Sequence, residues 1–171
     1  MQKFGLGVLL TLVFTAGVAF TQQKSDSDVL REMRDRQEIE ELMWRYTRAL
    51  DTTDAAAYAA VYAPDGEFRA GTNVTKGREA LTKMVADLRA NNAAQEAKGV
   101  RRPPMYHMTA NHAITFLDMN RARVDAYYLT AFGAAGQETP LRIAAVGRSV
   151  DELVRVEGRW LIKSRNVAPQ N

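Results

Sequence analysis

Only two side chains in this 171-residue chain have an ordinary pKa near neutrality, His107 and His112, and cysteine is absent. The missing cysteines exclude thiolate nucleophiles, thiolate zinc sites, disulfides and a lipidated residue behind a leader. Acid–base chemistry near pH 7 therefore falls to a histidine, helped by carboxylates and tyrosines. His107 follows Pro103-Pro104 at the start of an extended segment, where pocket mouths are often built. His112 shares a strand face with Ile114 and Phe116 and reads as a structural or partly exposed histidine. Four residues separate the two, a spacing that suits zinc on a helix; this segment is strand-like, so no metal site is expected.

Other candidates carry two readings each. Tyr46 sits on an apolar helix face, as a core tyrosine with a satisfied hydroxyl or as a hydrogen-bond donor in a site. Asp51 ends the same helix, where it caps backbone groups or serves chemistry. Phe68, Tyr106, Tyr127, Tyr128 and Phe132 are either lining for an apolar pocket or ordinary sheet and core aromatics. Trp160 reads as sheet packing, and Arg101-Arg102 as a solvated loop pair rather than an anion-steering one.

The elements that must position these residues are legible from period and punctuation. Ile39, Leu42, Met43, Tyr46 and Leu50 recur at helical spacing within residues 28–50, with Asp26 or Asp28 as the cap. The interleaved Arg31, Arg34, Arg36, Arg45 and Arg48 read as a solvated face of this helix. Asp54 caps a short second helix that runs through Tyr62 and stops before the turn sequence Pro64-Asp65-Gly66. A short strand at 67–70 and a third helix at 77–90 follow, then at 91–104 either a loop or a frayed helix extension followed by a loop. Strands are expected at 108–117, 122–132, 141–157 and 159–167, the last two joined tightly at Glu157-Gly158. The plan is α+β, three helices followed by four or five antiparallel strands.

Lys and Arg number 23 against 20 Asp and Glu, a formal charge of +3, which is no nucleic-acid footprint. The 46% hydrophobic content supports one globular domain with a sizeable core. Residues 1–19 carry the pattern of a secretory signal peptide: Lys3, an uncharged apolar run, and small residues ending at Ala19. The run is short for a membrane span of ~20 residues, which leaves an uncleaved anchor or a buried helix as rival readings. The leader reading makes the protein periplasmic or extracellular, with a polar linker at 20–27, a domain at 28–171 and no further membrane segment.

Three stretches together resemble the SnoaL-like families of the nuclear-transport-factor-2-like superfamily. They are 38–51 (EIEELMWRYTRALD) with Tyr62-Ala63-Pro64-Asp65-Gly66, 107–114 (HMTANHAI), and 156–165 (VEGRWLIKSR). The resemblance implies a cone-like α+β barrel, a curved and mostly antiparallel sheet wrapped around three N-terminal helices with an internal pocket. It also implies a homodimer formed through the sheet. Within the superfamily the chain is most similar to bile-acid and scytalone-type dehydratases, through Tyr46 five residues before Asp51 and His107 opening a strand. On that resemblance His107 is the acid/base, Asp51 orients it and Tyr46 holds an oxygen, with no cofactor or metal and a small hydrophobic oxygenated substrate. Dehydratases of this type carry a further acid on the next strand; here that position is Ala131. A non-catalytic ligand-binding or dimeric scaffold protein is the alternative.

Overall fold

The computed structural model describes residues 24–100, 102–134 and 140–168. The proposed leader, Arg101 and the tip of the 133–140 loop lie outside the described residues. Among those described, no helix is long and apolar enough to cross a membrane.

Helix α1 (Asp26–Asp51) is capped by Ser25, whose Oγ accepts the Asp28 N–H at 3.2 Å, rather than by Asp26 or Asp28. Those two aspartates lie in the first turn instead, where their charge favours the helix dipole. The expected stripe is the buried face, with Ile39, Leu42, Met43, Tyr46 and Ala49 in the core. Helix α2 (Ala55–Ala60) is capped as expected: Asp54 Oδ1 accepts the Ala57 N–H at 2.9 Å. Helix α3 (Arg78–Glu96) continues through 91–96, so the 91–104 segment begins as a helix extension.

Six strands form one open sheet: β1 (Tyr62–Ala70), β2 (Asn73–Lys76), β3 (Met105–Phe116), β4 (Arg121–Phe132), β5 (Arg142–Val156) and β6 (Arg159–Asn166). Their order is β2-β1-β6-β5-β4-β3. Two sequence expectations change here. The strands do not all follow the helices, because the β1–β2 hairpin precedes α3; and β1 runs parallel to β6, so the sheet is mixed. Pro64-Asp65-Gly66 does not end an element but forms an irregularity inside β1, between the Tyr62–Ile162 and Glu67–Ser164 pairs. Gly66 is required there, since a Cβ would stand 2.7 Å from the Ile162 carbonyl oxygen.

The sheet curves over the helices through a bulge in β3. Asn111, at φ 56°, and His112 lie between the Ala110–Tyr127 and Ala113–Asp125 pairs, two residues against Ala126 alone. The extra residue shifts the alternation, so Met105, His107 and Thr109 are more covered than their neighbours before the bulge, and His112, Ile114 and Phe116 after it. Glu157 and Gly158 both take positive φ, as the tight β5–β6 turn requires. The core lies between α1, α3 and the concave face, with Ile114, Val124, Leu153, Trp160 and Ile162 facing Leu42, Leu81 and Val85.

Candidate active site

The end of α1 meets the start of β3. Asp51 Oδ1 accepts the His107 backbone N–H at 2.9 Å and also contacts His107 Nδ1 at 2.8 Å. The backbone donor has a fixed direction, so this oxygen is an acceptor, and the neutral ring meets it by donating from Nδ1. Nε2 then keeps its lone pair and is the ring's base. The aspartate side chain is 8% exposed and the imidazole 18%, so the pair is held largely out of water.

This pair forms one wall of a cleft of about 580 Å³. Helix α1 contributes Trp44, Thr47 and Arg48 beside Asp51; β3 contributes Tyr106 and Met108 around His107. Leu129 and Ala131 of β4, with Leu141 and Ile143, complete an almost wholly apolar surface. Tyr106 and Ala131 are cross-strand partners, and both lie on this wall.

Of the sequence candidates, the fold unites His107, Asp51 and Tyr106 at the cleft and sends the others elsewhere. Tyr46 points from another side of α1 into the core. Its ring centroid is 5.5 Å from that of Tyr58, and the Arg165 guanidinium lies 4.3 Å above it. Tyr58 and Tyr62 share a hydroxyl–hydroxyl bond of 3.0 Å. Tyr128 is half-buried, covers Gly147 and donates to the Val167 carbonyl at 3.0 Å, whereas Tyr127 is exposed on the convex face. Phe68 packs against the core and Phe132 lies under Arg142.

The Tyr46 cluster holds a buried ion pair, Arg165 Nη1 to Asp151 Oδ2 at 2.6 Å, with both residues at most 1% exposed. Burial raises the Asp151 carboxyl to about 6, although Arg165 pulls the other way. Burial likewise raises Tyr46, and pushes Tyr58 and Tyr62 well above the usual phenol range. His112, near this cluster, is lowered by burial, with Glu40 opposing, and its Nε2 has no hydrogen-bond partner among the described residues. These groups are too enclosed to line the cleft. Among the described residues no three metal-ligating side chains come together.

Sequence reasoning missed Trp44, Thr47 and Arg48. A signal existed: positions 44, 47, 48 and 51 fall at i, i+3, i+4 and i+7, a second stripe on α1 beside the apolar one. Nothing in the β4 and β5 segments marks Leu129 or Ile143 as cleft residues, because which face of a strand a cavity uses is set by packing.

Comparison with known proteins agrees with this architecture. A family model described as a SnoaL-like domain matches residues 31–166. No curated protein matches the sequence significantly. Among solved structures, the chain is similar to Rv3472, a protein of unknown function from Mycobacterium tuberculosis. The two share 22% identity at a TM-score of 0.69, over 84% of this chain and 76% of that one. A scytalone dehydratase-like protein from Novosphingobium aromaticivorans shares 25% identity at a TM-score of 0.63, over 81% and 85%. ActVI-ORFA from Streptomyces coelicolor shares 22% identity at 0.65, over 78% and 95%.

Proposed function

Because the chain belongs to the SnoaL-like domain family, whose fold carries more than one chemistry, we propose that it is a cofactor-independent dehydratase or isomerase. It acts by proton transfer on a small hydrophobic, oxygenated molecule. The observation that carries this reading is the Asp51–His107 pair set into the wall of an apolar cleft. His107 Nε2 takes a proton from carbon next to a carbonyl, leaving an enolate and an imidazolium. Asp51 stabilises the imidazolium through Nδ1–H. The proton then returns, either to a leaving β-hydroxyl, which departs as water, or to another carbon of the enolate, which isomerises the substrate.

The likeness to a scytalone dehydratase-like protein supports this reaction class. The test is mass-spectrometric identification of small molecules carried by the purified protein, followed by incubation of each in deuterated water. Wild-type protein exchanges deuterium into the substrate or removes water from it, and His107→Ala does neither. Turnover that survives in His107→Ala refutes the reading.

A second reading has its own observation. Ala131 leaves the cleft without the additional acid of the dehydratases, which suits a binding protein that holds its ligand without turning it over. Under either reading we infer a homodimer through the sheet. Tyr106, Met108 and Ile143 line the cleft, and the apolar convex face continues to Tyr127 and Val146, all exposed. A second copy seated there closes the cleft from water. Sedimentation equilibrium showing only monomer at micromolar concentration refutes it.

A further inference from the structure

The crest of α1 separates two cavities. Beyond Trp44 and Arg48, away from His107, lies a groove of about 430 Å³ between α1, α2 and the start of β6. Its floor is apolar, from Val61, Trp160 and Leu161, all 6% exposed or less. Its rim carries three guanidinium groups, Arg45, Arg48 and Arg159, against one carboxylate, Asp54. Asp54 Oδ1 takes the helix-capping bond from the Ala57 N–H at 2.9 Å, and the rim keeps three cations against this one anion. The rim arginines make no ion pair among the described residues. Arg31 and Arg36, earlier on the same helix, pair with Asp28 and Glu32. The sequence reads Arg45 and Arg48 as a solvated face; the fold turns both toward a concavity and brings Arg159 to them from 111 residues further along the chain, counted from Arg48.

We propose that this groove is an anion subsite for the substrate of the neighbouring cleft, and that the substrate is an amphipathic carboxylate. Trp44 and Arg48 belong to both cavities, so one molecule can span the crest. Its oxygenated apolar body lies against His107, its chain crosses the Trp44 ring, and its carboxylate meets the guanidinium forks of Arg45, Arg48 and Arg159. Guanidinium is the group whose planar donors match a carboxylate in pairs. Trp44, 67% exposed, is a large aromatic surface that such a ligand covers. The assignment of substrate class rests on the acid–base reading of the cleft, whereas the groove's preference for an anion does not.

The experiment measures binding of 4-phenylbutyrate and its neutral amide to the full protein by titration calorimetry, with sodium sulfate as a free-anion control. The acid binds about tenfold more tightly than the amide, the gain expected of one charge-assisted contact. Arg45→Gln with Arg159→Gln lowers the preference severalfold, Arg48 alone remaining, and leaves amide binding unchanged, with melting temperature confirming the fold. His107→Ala keeps the preference, so the subsite stands even where His107 proves not to be catalytic. Equal affinities in the wild type, a preference undiminished by the double substitution, or no binding of the acid at millimolar concentration overturns the subsite. Sulfate displacing the acid completely while the amide never binds makes it a free-anion site and overturns the substrate assignment.

Discussion

Asp51 offers a graded test of the site, because one oxygen takes two bonds from His107, one from backbone and one from the ring. Asp51→Asn keeps the shape and removes the charge. Each bond falls from a charge-assisted value of about 1.5–3 kcal/mol to a neutral one of about 1 kcal/mol. The summed loss is about 1–4 kcal/mol, or a melting temperature lower by about 2–16 °C for a domain of this size. Asp51→Leu goes further, since it leaves a part-buried backbone N–H and a ring N–H without their acceptor, at up to about 1–3 kcal/mol each. The expected order of stability is wild type, then Asn, then Leu. Thermal denaturation measures it, and amide hydrogen exchange at His107 localises it: protection at that one N–H drops with the same ranking. Nitrogen NMR of the ring adds the chemistry, with the proton on Nδ1 in wild type and in Asn, where the amide oxygen still accepts. Two results refute the reasoning: both variants within about 0.5 kcal/mol of wild type, the scatter of ordinary surface substitutions, or a wild-type ring protonated on Nε2.

Two further predictions concern the frame around the site. The Asp151 carboxyl stands at about 6 in the fold against 3.8 for its ordinary value, so the native state holds this proton more tightly than the unfolded chain does. Stability from this group is complete below about pH 4 and is lost as pH rises through about 6; Asp151→Asn flattens that slope in denaturant titrations at stepped pH, and an unchanged slope counts against a buried, raised carboxyl. Gly66→Ala places a methyl 2.7 Å from the Ile162 carbonyl oxygen and costs about 1–3 kcal/mol in a urea titration; a neutral result shows that the β1 irregularity relaxes freely.

How far the site was legible follows from the range of each signal. The α1 stripe, the Asp54 cap and the Glu157-Gly158 turn depend on residues within a few positions of one another, and each is present in the fold. Ser25 replaced the expected aspartate cap because its Oγ, just ahead of the first helical residue, reaches the Asp28 N–H. The short strand expected at 67–70 is the second part of β1, whose start was hidden by Pro64-Asp65-Gly66, a sequence that reads as a terminus but here marks an irregularity inside a strand. Parallel pairing of β1 with β6 joins segments about a hundred residues apart, which no local pattern reports.

The sequence by itself determined the family and the inventory of reactive groups. It has no cysteine, it holds two imidazoles as its only side chains with an ordinary pKa near neutrality, and the motif set around Tyr46, Asp51, His107 and Trp160 points to one family. Tertiary structure decided which of those residues lie together. The 56-position separation of Asp51 and His107 is bridged by α1 crossing onto β3, while Tyr46, five positions before Asp51 on the helix, turns inward to Tyr58 and Arg165. The reason is geometric: a helix turns about 100° per residue, so five positions separate two side chains by about 140° of its circumference. Spacing along the chain placed both on one helix, and only packing against the sheet settled which side faces the cleft and which the core.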